Sequence, residues 1–169
     1  LPFDGIFGVF EDSLPDGWGR LLVDRQLLKH NINPIETESL DRLAIVGSLG
    51  MGALQYVPEF DLAEETQIGD FDDIARECSR LLATNQTDSL DELFRLGGSS
   101  GGARPKILTE VNRQPWLIKF PSKEDDDAIG LQEYEYALCA KACGIEMAET
   151  RLFPSGICSG YFGTRRFDR

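Results

Sequence analysis

Three groups of residues in this sequence are of types that handle phosphate. The first is the run GGSSGGARPK at residues 97–106. Its bare glycine amides can turn toward an anion because no side chain blocks the approach. The second is Lys119, a charge set in the apolar run WLIKF and costly there without a partner. The third is the pair of carboxylates that follows it, Glu133 and Glu135, either of which can be that partner. Each feature also has a plainer account. The glycines can form a slack linker, and an edge-strand lysine can keep its ammonium in water.

The glycine run fits neither standard phosphate-loop pattern. A Walker A loop needs Gly97-x4-Gly102 to be followed by Lys-Ser or Lys-Thr, and Ala103-Arg104 follows instead; there is no G-x-G-x-x-G. Its position is the better argument, since it runs directly into a strand. Glycine loop, strand lysine and helix glutamate, in that order, form the arrangement by which kinase N-lobes hold the α- and β-phosphates of ATP. Periodicity leaves the glutamate open. Leu131, Tyr134, Leu138 and Ala142 mark an apolar stripe, with Glu135 near one border and Glu133 beside Ala137 and Ala140.

The elements that must position these groups follow from spacing. Residues 1–96 read as mostly helical. Leu14, Trp18, Leu21, Leu22, Arg25 and Leu28 recur at helical spacing up to Pro34, and ETESLDRLAIVG predicts a second helix ending at Gly47. A short strand is expected at residues 53–57. DFDDIARECSRLLATN and SLDELFRLG predict two more helices, the former burying Ile74, Cys78, Leu81 and Leu82. Residues 97–169 read as loop, two strands joined at residues 112–115, an acidic loop SKEDDD, a helix over about 130–143 stopped by Gly144, and a final hairpin turning near residues 154–156.

Composition narrows the function classes. With 41% hydrophobic and 27% charged residues the chain is an ordinary globular one, and no apolar run reaches the roughly 18 residues that span a bilayer. A net charge of −12 argues against direct contact with a nucleic-acid backbone. Cys78, Cys139, Cys143 and Cys158 lack paired C-x-x-C spacing and read as reduced, buried thiols of a cytoplasmic protein. His30, the only histidine, reads as a helix C-terminal residue rather than a catalyst.

At this point the chain resembles the HipA-like serine/threonine kinases, the kinase component of bacterial toxin–antitoxin modules. The resemblance rests on FGVFEDSLPDGWGRLLVDR, GALQYVPE, SSGGARPKI, WLIKFP, QEYEYALCAKACGI and GTRRFDR in that order, and runs through essentially the whole chain. It implies an α+β fold: a helical, antitoxin-facing subdomain at 1–96 packed on a kinase-like N-lobe at 97–169. It implies ATP as cofactor, with Gly101, Gly102, Ala103, Arg104, Pro105 and Lys106 wrapping the phosphates, Lys119 contacting them, and Glu133 favoured over Glu135 as its partner. Arg165, Arg166 and Phe167 would form the hinge that meets adenine, although Arg165 stands where the family commonly has Glu. Ser99, with Ser100 as the alternative, matches the loop serine whose autophosphorylation switches the kinase off. Charge added to a phosphate loop would repel ATP.

The resemblance also implies what lies elsewhere. The Asp base, the Asn of the catalytic loop and the Mg²⁺-binding Asp belong beyond Arg169, so no catalytic residue or metal ligand is expected in this chain, which reads as an N-terminal portion inactive by itself. Implied partners are a helix-turn-helix antitoxin protein and a protein substrate such as an aminoacyl-tRNA synthetase, with no membrane and no direct nucleic-acid contact. The alternative is a non-catalytic interaction module, or one half of a split toxin kinase.

Overall fold

The computed structural model describes residues 5–64 and 69–168. The last residue of the GTRRFDR motif and residues 1–4 and 65–68 of the helical region lie outside them. Among the described residues the elements run α1 (Gly8–Glu11), α2 (Gly17–Lys29), α3 (Ser39–Val46), α4 (Phe71–Thr84), α5 (Leu90–Gly97), β1 (Lys106–Val111), β2 (Gln114–Lys119), α6 (Ile129–Ala142), β3 (Thr150–Phe153) and β4 (Tyr161–Arg165). The fold is therefore α+β with an antiparallel sheet. No described helix is long and apolar enough to cross a membrane.

Two compact units interleave along the sequence. The helical unit takes residues 5–64 and 89–103 with Asp168; the sheet unit takes residues 69–88 and 104–167. Thus α4 belongs with the sheet, and the glycine loop up to Ala103 belongs with α1, α2, α3 and α5.

In the helical unit, Trp18, Leu22, Val23 and Leu27 of α2 are buried, as are Leu43, Ile45 and Val46 of α3 and Leu93, Phe94 and Leu96 of α5. The buried face of α2 is turned from the expected stripe, for Leu28 is half exposed and Gln26 fully buried. The donor half of the Gln26 amide is satisfied there, since Nε2 donates to the Leu62 carbonyl at 2.8 Å and to Asp91 of α5 at 2.5 Å, whereas its Oε1 is buried without a hydrogen-bond partner. Arg42 ties α3 to α2 through Asp24 and to the Pro34 carbonyl, each at 2.8 Å. The strand expected at 53–57 is absent. That segment lies beside α3, where Tyr56 N–H donates to Gly47 O and Phe60 N–H to Ala44 O. Its backbone pairs with a helix end in place of a sheet neighbour.

In the sheet unit the strand order is β1-β2-β4-β3, with every neighbour antiparallel. A two-residue turn at Asn112 and Arg113, with φ of 54° and 61°, joins β1 to β2. Alternation sorts the faces. Ile107, Trp116, Ile118, Phe153 and Tyr161 lie on one face, all buried, and the ring of Phe71 at the start of α4 stands edge-on to Phe153 and Tyr161. Lys106, Leu117, Lys119 and Phe162 lie on the other, the face that receives Glu133 of α6. On α6 the buried residues are Gly130 and Ala137, not the expected Leu131–Tyr134–Leu138–Ala142 stripe; Leu138 is exposed. Gly130 sits there because a Cβ would run into the Gly160 carbonyl of the facing hairpin. All four cysteines are free, as expected, but only Cys78 is buried, whereas Cys139 and Cys143 are exposed on α6 and Cys158 is intermediate. His30 caps the C-terminus of α2, its Nε2 lying 2.7 Å from the Leu62 carbonyl.

Candidate functional site

The sheet unit brings two of the predicted residues into direct contact. Lys119 ends β2 on the α6 face, and its ammonium is ion-paired and hydrogen-bonded to Glu133. The same ammonium lies 5.4 Å from the centroid of the Phe162 ring, a cation–π distance. Both side chains of the pair are about a third exposed, 31% and 30%, so the lysine is supported from below and beside while one side remains open to solvent. Glu135, two residues on, is exposed. Turning the helix so that small Gly130 and Ala137 face the sheet carries Glu133 inward, which an apolar-stripe reading does not reveal.

Lys106 opens β1 directly opposite Lys119 in the register, and it is buried. The Phe120 N–H donates to the Pro105 carbonyl at 2.9 Å, so residues 105 and 106 arrive beside the lysine strand. Arg104 makes a bidentate pair with Asp125, Nε–Oδ2 2.9 Å and Nη2–Oδ1 2.8 Å. Asp125 also accepts from the Ser122 amide and hydroxyl. The Arg104 guanidinium above all holds the Asp125 carboxyl far below its ordinary range, against the opposing effect of burial. Asp125 was invisible among the acids of SKEDDD, since nothing in that run distinguishes the one carboxylate that meets an arginine.

At the end of β4, Arg165 N–H donates to Glu149 O at 2.8 Å and Arg166 N–H to Pro115 O at 2.9 Å. Phe167 is 93% exposed. Main-chain contacts from this segment to a ligand therefore fall to its carbonyls or to the amide of Phe167. The Arg165 guanidinium lies 3.7 Å from Glu149.

In the helical unit, Gly101, Gly102 and Ala103 are exposed, and the loop that contains them is anchored on the start of α2. Gly102 N–H donates to the Asp16 carboxylate, and Trp18 N–H donates to Gly102 O at 2.9 Å. Ser99 is half-buried, its hydroxyl donating to Leu49 O at 2.9 Å. Ser100 is fully buried and its hydroxyl donates to Gly97 O at 2.6 Å. Asp16 reads in sequence only as a cap-type residue; its role as the loop's partner becomes visible once the loop is placed. Among the described residues no group of three or more His, Cys, Asp and Glu is disposed to hold a metal ion.

Comparison with known families matches both ends of the chain. The family model of the HipA N-terminal domain matches residues 1–57, and that of the HipA-like C-terminal domain matches residues 98–169. Searches of curated proteins and of solved structures returned no match.

Proposed function

The chain belongs to the HipA-like family, and from that premise we propose that it carries the phosphate-holding part of an ATP-dependent serine/threonine protein kinase. The ion pair of Lys119 with Glu133, beside the Phe162 ring, is the observation that carries this reading. A carboxylate keeps the ammonium charged and oriented, and the open side of the lysine suits the α- and β-phosphates of ATP. The glycine loop, residues 97–103, belongs to the helical unit and offers backbone amides for phosphate, while Lys106 of the sheet unit is the register partner of Lys119. Arg104 takes part as half of a pair with Asp125 that fixes the entry to β1.

Adenine meets residues 165–167 through carbonyls or the Phe167 amide. A C-terminal lobe supplies the base and the Mg²⁺ ligands. In the complete reaction the γ-phosphoryl group passes to a Ser or Thr hydroxyl of a protein, ADP leaves, and the hydroxyl proton goes to that base. The family is associated with kinase toxins paired with an antitoxin, and the helical unit is the surface we assign to such a partner, a helix-turn-helix protein. The substrate is a protein, with an aminoacyl-tRNA synthetase the candidate to test first. Ser99 is the autophosphorylation site in this reading, since Ser100 would have to leave a fully buried position.

Intact-mass measurement and peptide mapping of the longest natural form, incubated with Mg²⁺-ATP beside a Lys119→Ala variant, test the proposal. A phosphate on Ser99 that disappears in the variant is the expected result. A natural form that neither gains phosphate nor binds ATP would overturn it.

A further inference from the structure

The start of α2 holds the glycine loop in a way the proposed function does not use. Asp16 occupies the N-cap position of α2, with φ −119°, yet its side chain makes no cap bond to its own helix. An N-cap aspartate ordinarily accepts from the second or third helical amide. Here the second one, Trp18 N–H, donates to Gly102 O at 2.9 Å instead, while Gly102 N–H donates to the Asp16 carboxylate. Helix start and loop thus cap each other.

Three glycines make room for this exchange. A Cβ on Gly17, where φ is +43°, would lie 2.5 Å from Gly102 O; one on Gly101 would lie 2.9 Å from Asp16 Oδ1; one on Gly19 would run into Ser100 O. A helix that opens Gly-Trp-Gly begins with two of the poorest helix formers. That choice, together with the fit, marks the docked loop as a specified conformation and not a slack connection.

We infer that Asp16 is a positioning residue for the glycine loop, holding it in the conformation that receives the phosphates of ATP. The inference rests on the kinase reading. A glycine-rich segment left free must be ordered each time a ligand binds, and a charge-assisted bond that orders it beforehand lowers the cost of binding. Asp16 acts through Gly102 and does not itself meet the nucleotide.

The test compares full-length natural protein with Asp16→Ala, Asp16→Asn and Lys119→Ala variants, by calorimetric titration with Mg²⁺-ATP and by hydrogen exchange. Asp16→Ala is expected to weaken ATP binding by roughly 10-fold or more, the loss of one hydrogen bond to a charged group. In turnover, KM for ATP should rise with little change in kcat. The amides of residues 98–103 should exchange faster while those of α3 stay protected. Asp16→Asn keeps an acceptor oxygen and should recover most of the affinity. Gly19→Ala pushes the loop from the helix side and should weaken ATP binding even where Asp16→Ala fails to fold. If Asp16→Ala or Gly19→Ala binds ATP as tightly as wild type while Lys119→Ala does not, the inference falls and the kinase reading stands. Wild-type protein that binds no ATP removes both.

Discussion

Removing one oxygen atom from Tyr161 tests how α4 is joined to the sheet. Tyr161 is fully buried, and its hydroxyl donates to Asp72 Oδ1 at 2.8 Å. Asp72, in the first turn of α4, also accepts from Ser155 Oγ at 2.7 Å and from Gly156 N–H at 2.8 Å, so one carboxylate gathers the loop between β3 and β4. In Tyr161→Phe the ring contacts persist and Asp72 keeps two of its three donors. Ser155 Oγ also lies 3.2 Å from the tyrosine oxygen, but its single proton is better placed on Asp72 at 2.7 Å. The loss is then one bond to a charged acceptor, about 1–2 kcal/mol. For a chain of this size that lowers Tm by roughly 2–8 °C. Tryptophan fluorescence reads the transition, since Trp116 lies 5.3 Å from Phe153 in the sheet unit and Trp18, the other tryptophan, belongs to the helical unit. The pH dependence sharpens the test. The Ser155 hydroxyl first, then that of Tyr161, holds the Asp72 carboxyl below its ordinary value. A depressed carboxyl contributes stability that is present above its unfolded pKa, about 3.9, and is lost as pH falls through the lower folded value. The gap between wild type and variant should therefore be full at pH 7 and should narrow below about pH 4. Equal Tm values at pH 7, or a gap that does not change in acid, would refute the account.

Lys119→Met should cost about 1 kcal/mol of stability or less, because the pair it breaks is a third exposed, yet it should abolish ATP binding; thermal melts and nucleotide titration on the same samples separate the two effects. Arg113→Gly should raise the stability of the sheet unit by up to about 1 kcal/mol, since φ is +61° at that turn position and glycine adopts it without strain. Asp125→Asn should flatten the acid limb of a stability–pH curve measured by thermal melts: the Arg104-paired carboxyl stabilises above about pH 3.9 and loses that contribution as pH falls through its depressed folded value.

The regular elements were legible where spacing and terminators agree. Asp70 caps α4 by accepting from Asp73 N–H at 2.8 Å, and Asn85 ends it at φ 58°. Gly144, at φ +81°, follows the end of α6 where the sequence placed a stop. Legibility failed where a face is chosen by what lies opposite. Leu28 and Gln26 exchange their expected roles because Asp91 and the Leu62 carbonyl lie beside Gln26. Residues 53–57 have strand composition, but a strand also needs a neighbour, and theirs is the end of α3. On α6, hydrophobicity favoured the wrong stripe because a helix that meets a sheet closely needs small residues at the contact, and a wheel rewards large ones.

The same reasoning accounts for the acids. A net charge of −12 reads as a solvated surface, and most of these carboxylates are that. Asp16, Asp72, Asp91 and Asp125 are different, since each accepts from a group distant in sequence: Gly102, Tyr161, Gln26 and Arg104 respectively. Two of those donors are a backbone amide and a tyrosine hydroxyl, which leave no complementary charge to search for in the sequence. Charge pairing by composition would have found only Lys29 with Asp91 and Arg104 with Asp125, and for the second SKEDDD offers four equivalent candidates. What selects one carboxylate from such a run is the position of its donor in the fold, so in this protein the acids that matter most to the loop and the sheet are the ones an electrostatic reading of the sequence treats as interchangeable.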